Sequence, residues 1–192
     1  MAEVLKLLQR EHGHIAKVLN VLERQLRHFD QGHTPDYDII DSVLAYCLDF
    51  PEFCHHPKED LIFRRLRERD VTLPLAARDL PGEHQELKAL TWKFSAAVNR
   101  ILQGAEMPRQ WFTLLGRDFV TSYRNHIAME ERIFFPAALE SLSEQDWAEI
   151  DAQVTDRQDP LFGDRLTERF AALYADIQSQ DQDFAPATQP RS

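Results

Sequence analysis

Glycine is scarce in this chain, with 6 among 192 residues, or about 3% where roughly 7% is usual. Few positive-φ corners are therefore available, which disfavours β-rich folds and favours long helices. Cysteine is scarcer still. Cys47 and Cys54, seven apart in one helical segment, form neither a disulfide framework nor a CxxC motif, which argues against a stapled secreted fold or a cysteine-ligated zinc site and fits a reducing cytoplasm. No apolar run reaches membrane-spanning length, and Glu3, Lys6, Arg10 and Glu11 interrupt any signal-peptide core at the N-terminus. Basic residues are outnumbered, 22 Lys and Arg against 32 Asp and Glu, for a net charge of −10. Such a chain offers no positive field for a phosphate backbone, so neither nucleic acid nor membrane is an expected partner. What is abundant is apolar residues, at 43%, including 12 Phe, enough for one domain with a proper core plus an appendage. Eight histidines in an acidic chain are the feature to explain.

Apolar residues recur at helical spacing over four long stretches. The first runs from about Glu3 to His28, with Leu5, Leu8, Ile15, Leu19, Leu22 and Leu26 on one stripe. The second runs from Asp36, a candidate N-cap, to Arg69, and Pro51 and Pro57 should kink it. The third runs from about Pro81 to Leu102, and the fourth from about Pro108 to Leu139. Short connectors between them predict an all-α, up-down-up-down four-helix bundle over residues 1–140. Two further helices, from a Ser143/Asp146 capping box to about Val154 and from about Asp164 to Ile177, make residues 141–180 an appendage on the same domain. The polar, proline-containing tail from Gln178, and 181–192 in particular, is expected to be disordered.

Four histidines share the apolar stripes of these helices. His12 is flanked by Leu5, Leu8, Ile15 and Leu19; His55 by Leu48, Ile62 and Leu66; His126 by Phe119 and Ile133; and His84, more weakly, by Leu80 and Leu87. Glu59 and Glu130 each follow a histidine by four residues, so each pair aims at one point about 5–6 Å across. A carboxylate within an apolar stripe is too costly unless paired or bound to a cation. Counted from the connectors near 31–35 and 104–107, all four histidines lie about 18–19 residues along their helices, at one level roughly 27 Å down the bundle. Four imidazoles and two carboxylates exceed what one tetrahedral zinc needs and suit two metals bridged by both carboxylates. Iron is favoured, with manganese or zinc as alternatives.

The segments REHGHI, HHPKEDLIF, EHQEL and HIAMEERIFFP resemble the four helix motifs of the hemerythrin-like (HHE cation-binding) family over about residues 5–139. The resemblance implies a di-iron site, with an oxo or hydroxo bridge, held by His12, His55, Glu59, His84, His126 and Glu130. Oxygen-carrying members bring a second histidine from the third helix where this chain has Lys88, which puts reversible oxygen carriage in doubt. Members that repair damaged iron centres often carry an additional cysteine-containing N-terminal segment, whereas this sequence opens on the first bundle helix.

Other readings stay open at this level. His12 or His84 alone would read as an ordinary core histidine, and Asp60 or Glu131 could replace the adjacent glutamate as ligand. His14, His28, His33 and His56 read as surface or connector residues. Cys47 and Cys54 read as small core groups, with Cys54 open to oxidation, and Arg64, Arg65, Arg67 and Arg69 as a solvated helix end. Met129, Phe134 and Phe135 are candidates to wall the cavity. The expected function is a cytosolic di-iron protein that binds O2, NO or peroxide for sensing, storage or stress defence. A peroxide- or NO-reducing or iron-centre-repair enzyme, and a helical interaction module with a structural ion, are the alternatives.

Overall fold

The computed structural model describes residues 2–155 and 157–183. It is all-helical, with no strand among the described residues. Helix α1 spans Glu3–Asp30. The second stretch divides into α2, Tyr37–Phe50, a π-helical turn, Pro51–His55, and α3, His56–Glu68. Helix α4 spans Leu80–Leu102. The fourth stretch divides likewise into α5, Arg109–Met129, a π-helical turn, Glu130–Phe134, and α6, Phe135–Ser141. Then come α7, Glu144–Asp151, and α8, Ala171–Asp183.

The helix starts and stops follow local chemistry. The Asp36 side chain accepts from the amides of Asp38 and Ile39 and opens α2, and Ser143 and Asp146 close a reciprocal capping box on α7. Helices α1 and α4 stop at Gly32 and Gly104, with φ of 93° and 87°. In each, the next amide reaches back to a carbonyl five residues earlier, His33 to His28 and Ala105 to Arg100. Both π-helical turns end two residues before a proline, Pro57 and Pro136. Proline has no amide hydrogen and its ring crowds the carbonyl four residues back, so a widened turn relieves the clash. The expected kink in the second stretch is thus an underwound turn, and the fourth stretch has one that was not expected.

Helix α1 packs on α2 and α5, and α4 packs on the same two. The core has two apolar halves. One is built from Ile15, Leu19, Leu22, Phe50, Phe94, Phe119 and their neighbours. The other is built from Leu5, Leu8, Ile62, Leu66, Leu80, Phe134 and theirs. Along every helical stretch of the bundle the polar motif falls between the halves: His12 between Leu8 and Ile15, His84 between Leu80 and Leu87, His55–Glu59 between Cys54 and Ile62, and His126–Glu130 between Tyr123 and Phe134.

Helix α7 buries Trp147 and Ile150 against the second half. The basic run is only partly solvated: Arg69 donates to Asp146 at 2.7 and 3.0 Å, and Arg65 pairs with Glu149, joining α3 to α7. The last helix begins later than its pattern predicts. Asp159 accepts from the Leu161 and Phe162 amides and from the Tyr46 hydroxyl at 2.9 Å, which pins 159–163 as a turn. Helix geometry resumes only at Glu168, in a short 3₁₀ turn. Leu173 and Ile177 then seat α8 on α1 and α2. The helix continues through Asp183, so residues 178–183, expected to be part of a disordered tail, have helical backbone. Extending an existing helix adds a hydrogen bond per residue at small cost. The remainder of that tail, 184–192, lies outside the described residues.

Candidate metal centre

All six candidate residues are buried: Glu59 and Glu130 fully, His55 to 2%, His12 and His84 to 4%, and His126 to 6% relative exposure. They meet in the layer between the two core halves. The two carboxylates divide their oxygens between two pairs of imidazoles. Glu59 Oε1 lies 3.3 Å from His55 Nε2 and 3.6 Å from His12 Nε2, and Glu130 Oε2 lies 3.2 Å from His12 Nε2. On the other side, Glu59 Oε2 lies 3.4 Å from His84 Nε2, while Glu130 Oε1 lies 3.5 Å from His84 Nε2 and 3.0 Å from His126 Nε2. Each side therefore offers two nitrogens and two oxygens around one point.

These approaches lack hydrogen-bond alignment. His12 Nε2, His84 Nε2, His126 Nε2 and all four oxygens of Glu59 and Glu130 are buried without a hydrogen-bond partner among the described residues. Buried polar atoms are nearly always paired, because an orphan costs about 1–3 kcal/mol. Seven orphans in one layer are what a cation site looks like with its donors in place.

The outward ring nitrogens are held by a second set of acids. Glu131 Oε1 is 2.8 Å from His12 Nδ1, Glu11 Oε2 is 2.9 Å from His55 Nδ1, and Glu83 Oε2 is 2.9 Å from His126 Nδ1. Asp60 is the nearest acid to His84 Nδ1, at 3.8 Å. Such partners fix the tautomer that leaves Nε2 free to donate to a cation. Asp60 and Glu131 thus stand behind the imidazoles, outside the layer that Glu59 and Glu130 occupy. Glu11 is itself held by the buried Lys58, whose Nζ reaches it at 2.7 Å and the Cys54 carbonyl at 2.5 Å. Glu11, Glu83 and Lys58 are not among the residues that the apolar stripes single out. A repeated pattern marks two of them: each lone histidine is preceded by glutamate, Glu11-His12 and Glu83-His84, and each glutamate of the layer is followed by an acid, Glu59-Asp60 and Glu130-Glu131.

His56 is the main correction. Expected at the surface, it is 6% exposed, with its ring stacked on that of His84 at 3.8 Å and 8°. A helix with a neighbour on each side buries an arc wider than the 100° between adjacent residues, so two neighbours in sequence can bracket the arc. His55 turns to α1, 4.8 Å from the His12 ring, and His56 turns to α4. His14 is also not free. It meets Asp159 at 3.0 Å and stacks on Phe162. His28 and His33 are exposed and stack on each other. Cys47 and Cys54 are buried and unpaired, and burial raises both thiols above their ordinary range, Cys47 to about 12, which works against the oxidation-sensitive reading of Cys54. Of the candidate walls, Phe135 stacks on the His12 ring at 5.5 Å, Phe134 is fully buried with its ring 5.8 Å from that of Phe135, and Met129 borders a surface groove that His126 also lines.

Burial disfavours charge on these imidazoles, but the carboxylates outweigh it. His12 is raised to about 11 by Glu130 and Glu59, His126 to about 10 by Glu130 and Glu83, and His84 to about 9 by Glu130 and Glu59. Burial raises Glu59 and Glu130 in turn, and the surrounding imidazoles overcome it and hold both below the ordinary carboxylate range. Without metal, protons on the imidazoles balance the two buried anions. Cations can take that place. His56 differs: burial lowers it to about 4, against Glu52, so it is a neutral imidazole.

A buried layer of imidazole and carboxylate, convergent from helices packed side by side, defines a helical cation-binding protein. The family model of the hemerythrin HHE cation-binding domain matches residues 3–138, and the chain belongs to that family. No curated protein matches it. The matched span contains every residue of the layer, and members of the family bind metal cations through such a domain. Buried His and Glu groups of this chain are able to hold a metal. No helix among the described residues is long and apolar enough to cross a membrane.

Proposed function

We propose that this is a cytosolic di-iron protein of up-down-up-down bundle architecture that binds a small ligand, O2, NO or peroxide, for sensing, storage or stress defence. The observation that carries the reading is the division of the four carboxylate oxygens between two imidazole pairs, at 3.0–3.6 Å, with no hydrogen bond to satisfy them. His12 and His55 would hold one ion and His84 and His126 the other, with Glu59 and Glu130 shared. Bound iron would supply an open coordination position and redox electrons. Nitrogen and carboxylate donors without thiolate suit iron or manganese among first-row ions.

The protein's own part is to keep the donors aimed and dry. Glu131, Glu11 and Glu83 hold the outward nitrogens, and Phe50 and Phe135 flank the histidine rings. The groove lined by Glu83, Leu87, Asn125, His126 and Met129 brings solvent to the His126 edge, a route that suits a molecule of two or three atoms. The test is anaerobic loading with ferrous iron, followed by oxidation and optical titration with NO and with azide. Ligand-dependent iron absorption that saturates without consuming excess ligand supports a binding role. Iron bands that do not respond to any small ligand contradict it and leave a structural ion.

A further inference from the structure

The geometry points to His56 as a fifth imidazole of the centre, donating to the metal on the His84–His126 side and making the two metal positions unequal. This rests on the di-iron reading above and adds an assignment to it.

Two groups of side chains bring ligand atoms within 4.8 Å of one another. One is His12, His55, Glu59 and Glu130. The other is His56, Glu59, His84 and His126. His56 is thus inside the ligand layer by distance as well as by burial. Its ring lies parallel to that of His84 at 3.8 Å and perpendicular to that of His126 at 6.1 Å.

The surroundings of His56 leave it available. Its Nδ1 faces Glu52 at 3.6 Å, beyond hydrogen-bonding distance, which leaves Nε2 as the donor for a cation. Glu52 is already neutralised by Lys88, whose Nζ sits 2.6 Å away. Lys88 lies one helical turn after His84 and spends its charge on Glu52, so no second nitrogen ligand comes from α4. The neighbouring helix supplies one instead. With His56 counted, the chain offers five donors on the His84–His126 side and four on the His12–His55 side.

The experiment loads the full chain with ⁵⁷Fe anaerobically and compares wild type with His56→Ala and His56→Phe, the latter keeping the stacked ring without a nitrogen. Iron content, stepwise affinity and Mössbauer spectra of the oxidised forms are the readouts. Two unequal doublets are expected in the wild type. In both variants the iron held by His84 and His126 should lose about 10–100-fold in affinity, with one doublet shifted, and added imidazole should restore the original doublet in His56→Ala. A wild type with two equivalent irons overturns the assignment, and so does a His56→Phe protein with unchanged affinity and spectrum. If the wild type takes up no iron at all, it is the di-iron reading that fails.

Discussion

At the scale of single residues, the centre is a problem of charge. Glu59 and Glu130 are anions with no exposed surface, and without a cation the imidazoles must carry protons to balance them. The folded-state values of His84, His126 and His12, about 9, 10 and 11, lie above the ordinary 6.5. Protons held by the folded state and not by the unfolded one stabilise the fold, fully below pH 6.5, and that contribution is lost as pH rises through about 9 to 11. Calorimetry of chelator-treated protein should therefore show a melting temperature that falls between pH 6.5 and 10. With metal bound the imidazoles cannot protonate, so cation affinity should rise over the same range. Glu130 acts in the opposite direction, its contribution present above 4.5 and lost as pH falls well into the acid range. The pairing of these residues was legible in the sequence because i and i+4 spacing and matched depth are local arithmetic. His56 was not, because its burial depends on which neighbours α3 has, and adjacent wheel positions cannot show that.

At the scale of elements, helix existence was legible and helix ends were less so. The apolar period marks a helix interior, whereas stops depend on backbone geometry at one residue. Asp70 ends α3 with φ of 52°, its amide bonded to the Arg67 carbonyl and the next amide to Leu66. Gly32 and Gly104 do the same for α1 and α4 without a Cβ. Asp70 is exposed and its side chain carries no hydrogen bond among the described residues. Asp70→Gly should raise stability by about 0.5–1 kcal/mol in urea unfolding, since the left-handed conformation costs glycine nothing. The two π-helical turns were hidden for a similar reason. Proline signals a disruption, but whether it kinks, ends or underwinds a helix is settled by packing on either side. Here the underwound turns carry Pro51–His55 and Glu130–Phe134 directly into the ligand layer, so the feature least legible in the sequence sits where the chemistry is.

At the scale of the molecule, the bundle is two apolar cores separated by one polar layer, with α7 and α8 laid against them. Tyr46, His14 and Asp159 tie the segment before α8 to α1 and α2, and Leu173 inserts fully beneath it. Leu173→Ala should cost about 2–5 kcal/mol, by loss of buried surface and creation of a cavity, read as a shift in denaturant midpoint with iron content unchanged. The last helix was misplaced because the Thr167 amide bonds back to the Pro160 carbonyl at 2.9 Å, a closure of 160–167 that the amphipathic pattern from Asp164 does not encode. The polar layer itself is the claim on which everything else depends. Its direct test is anaerobic titration of metal-free protein with ferrous iron, with bound metal and released protons counted together in weakly buffered solution near pH 7. Two irons per chain with release of about two or more protons, lost together in a Glu59→Ala/Glu130→Ala variant, are the predicted result. Uptake of less than one iron, or uptake with no proton release, contradicts the account.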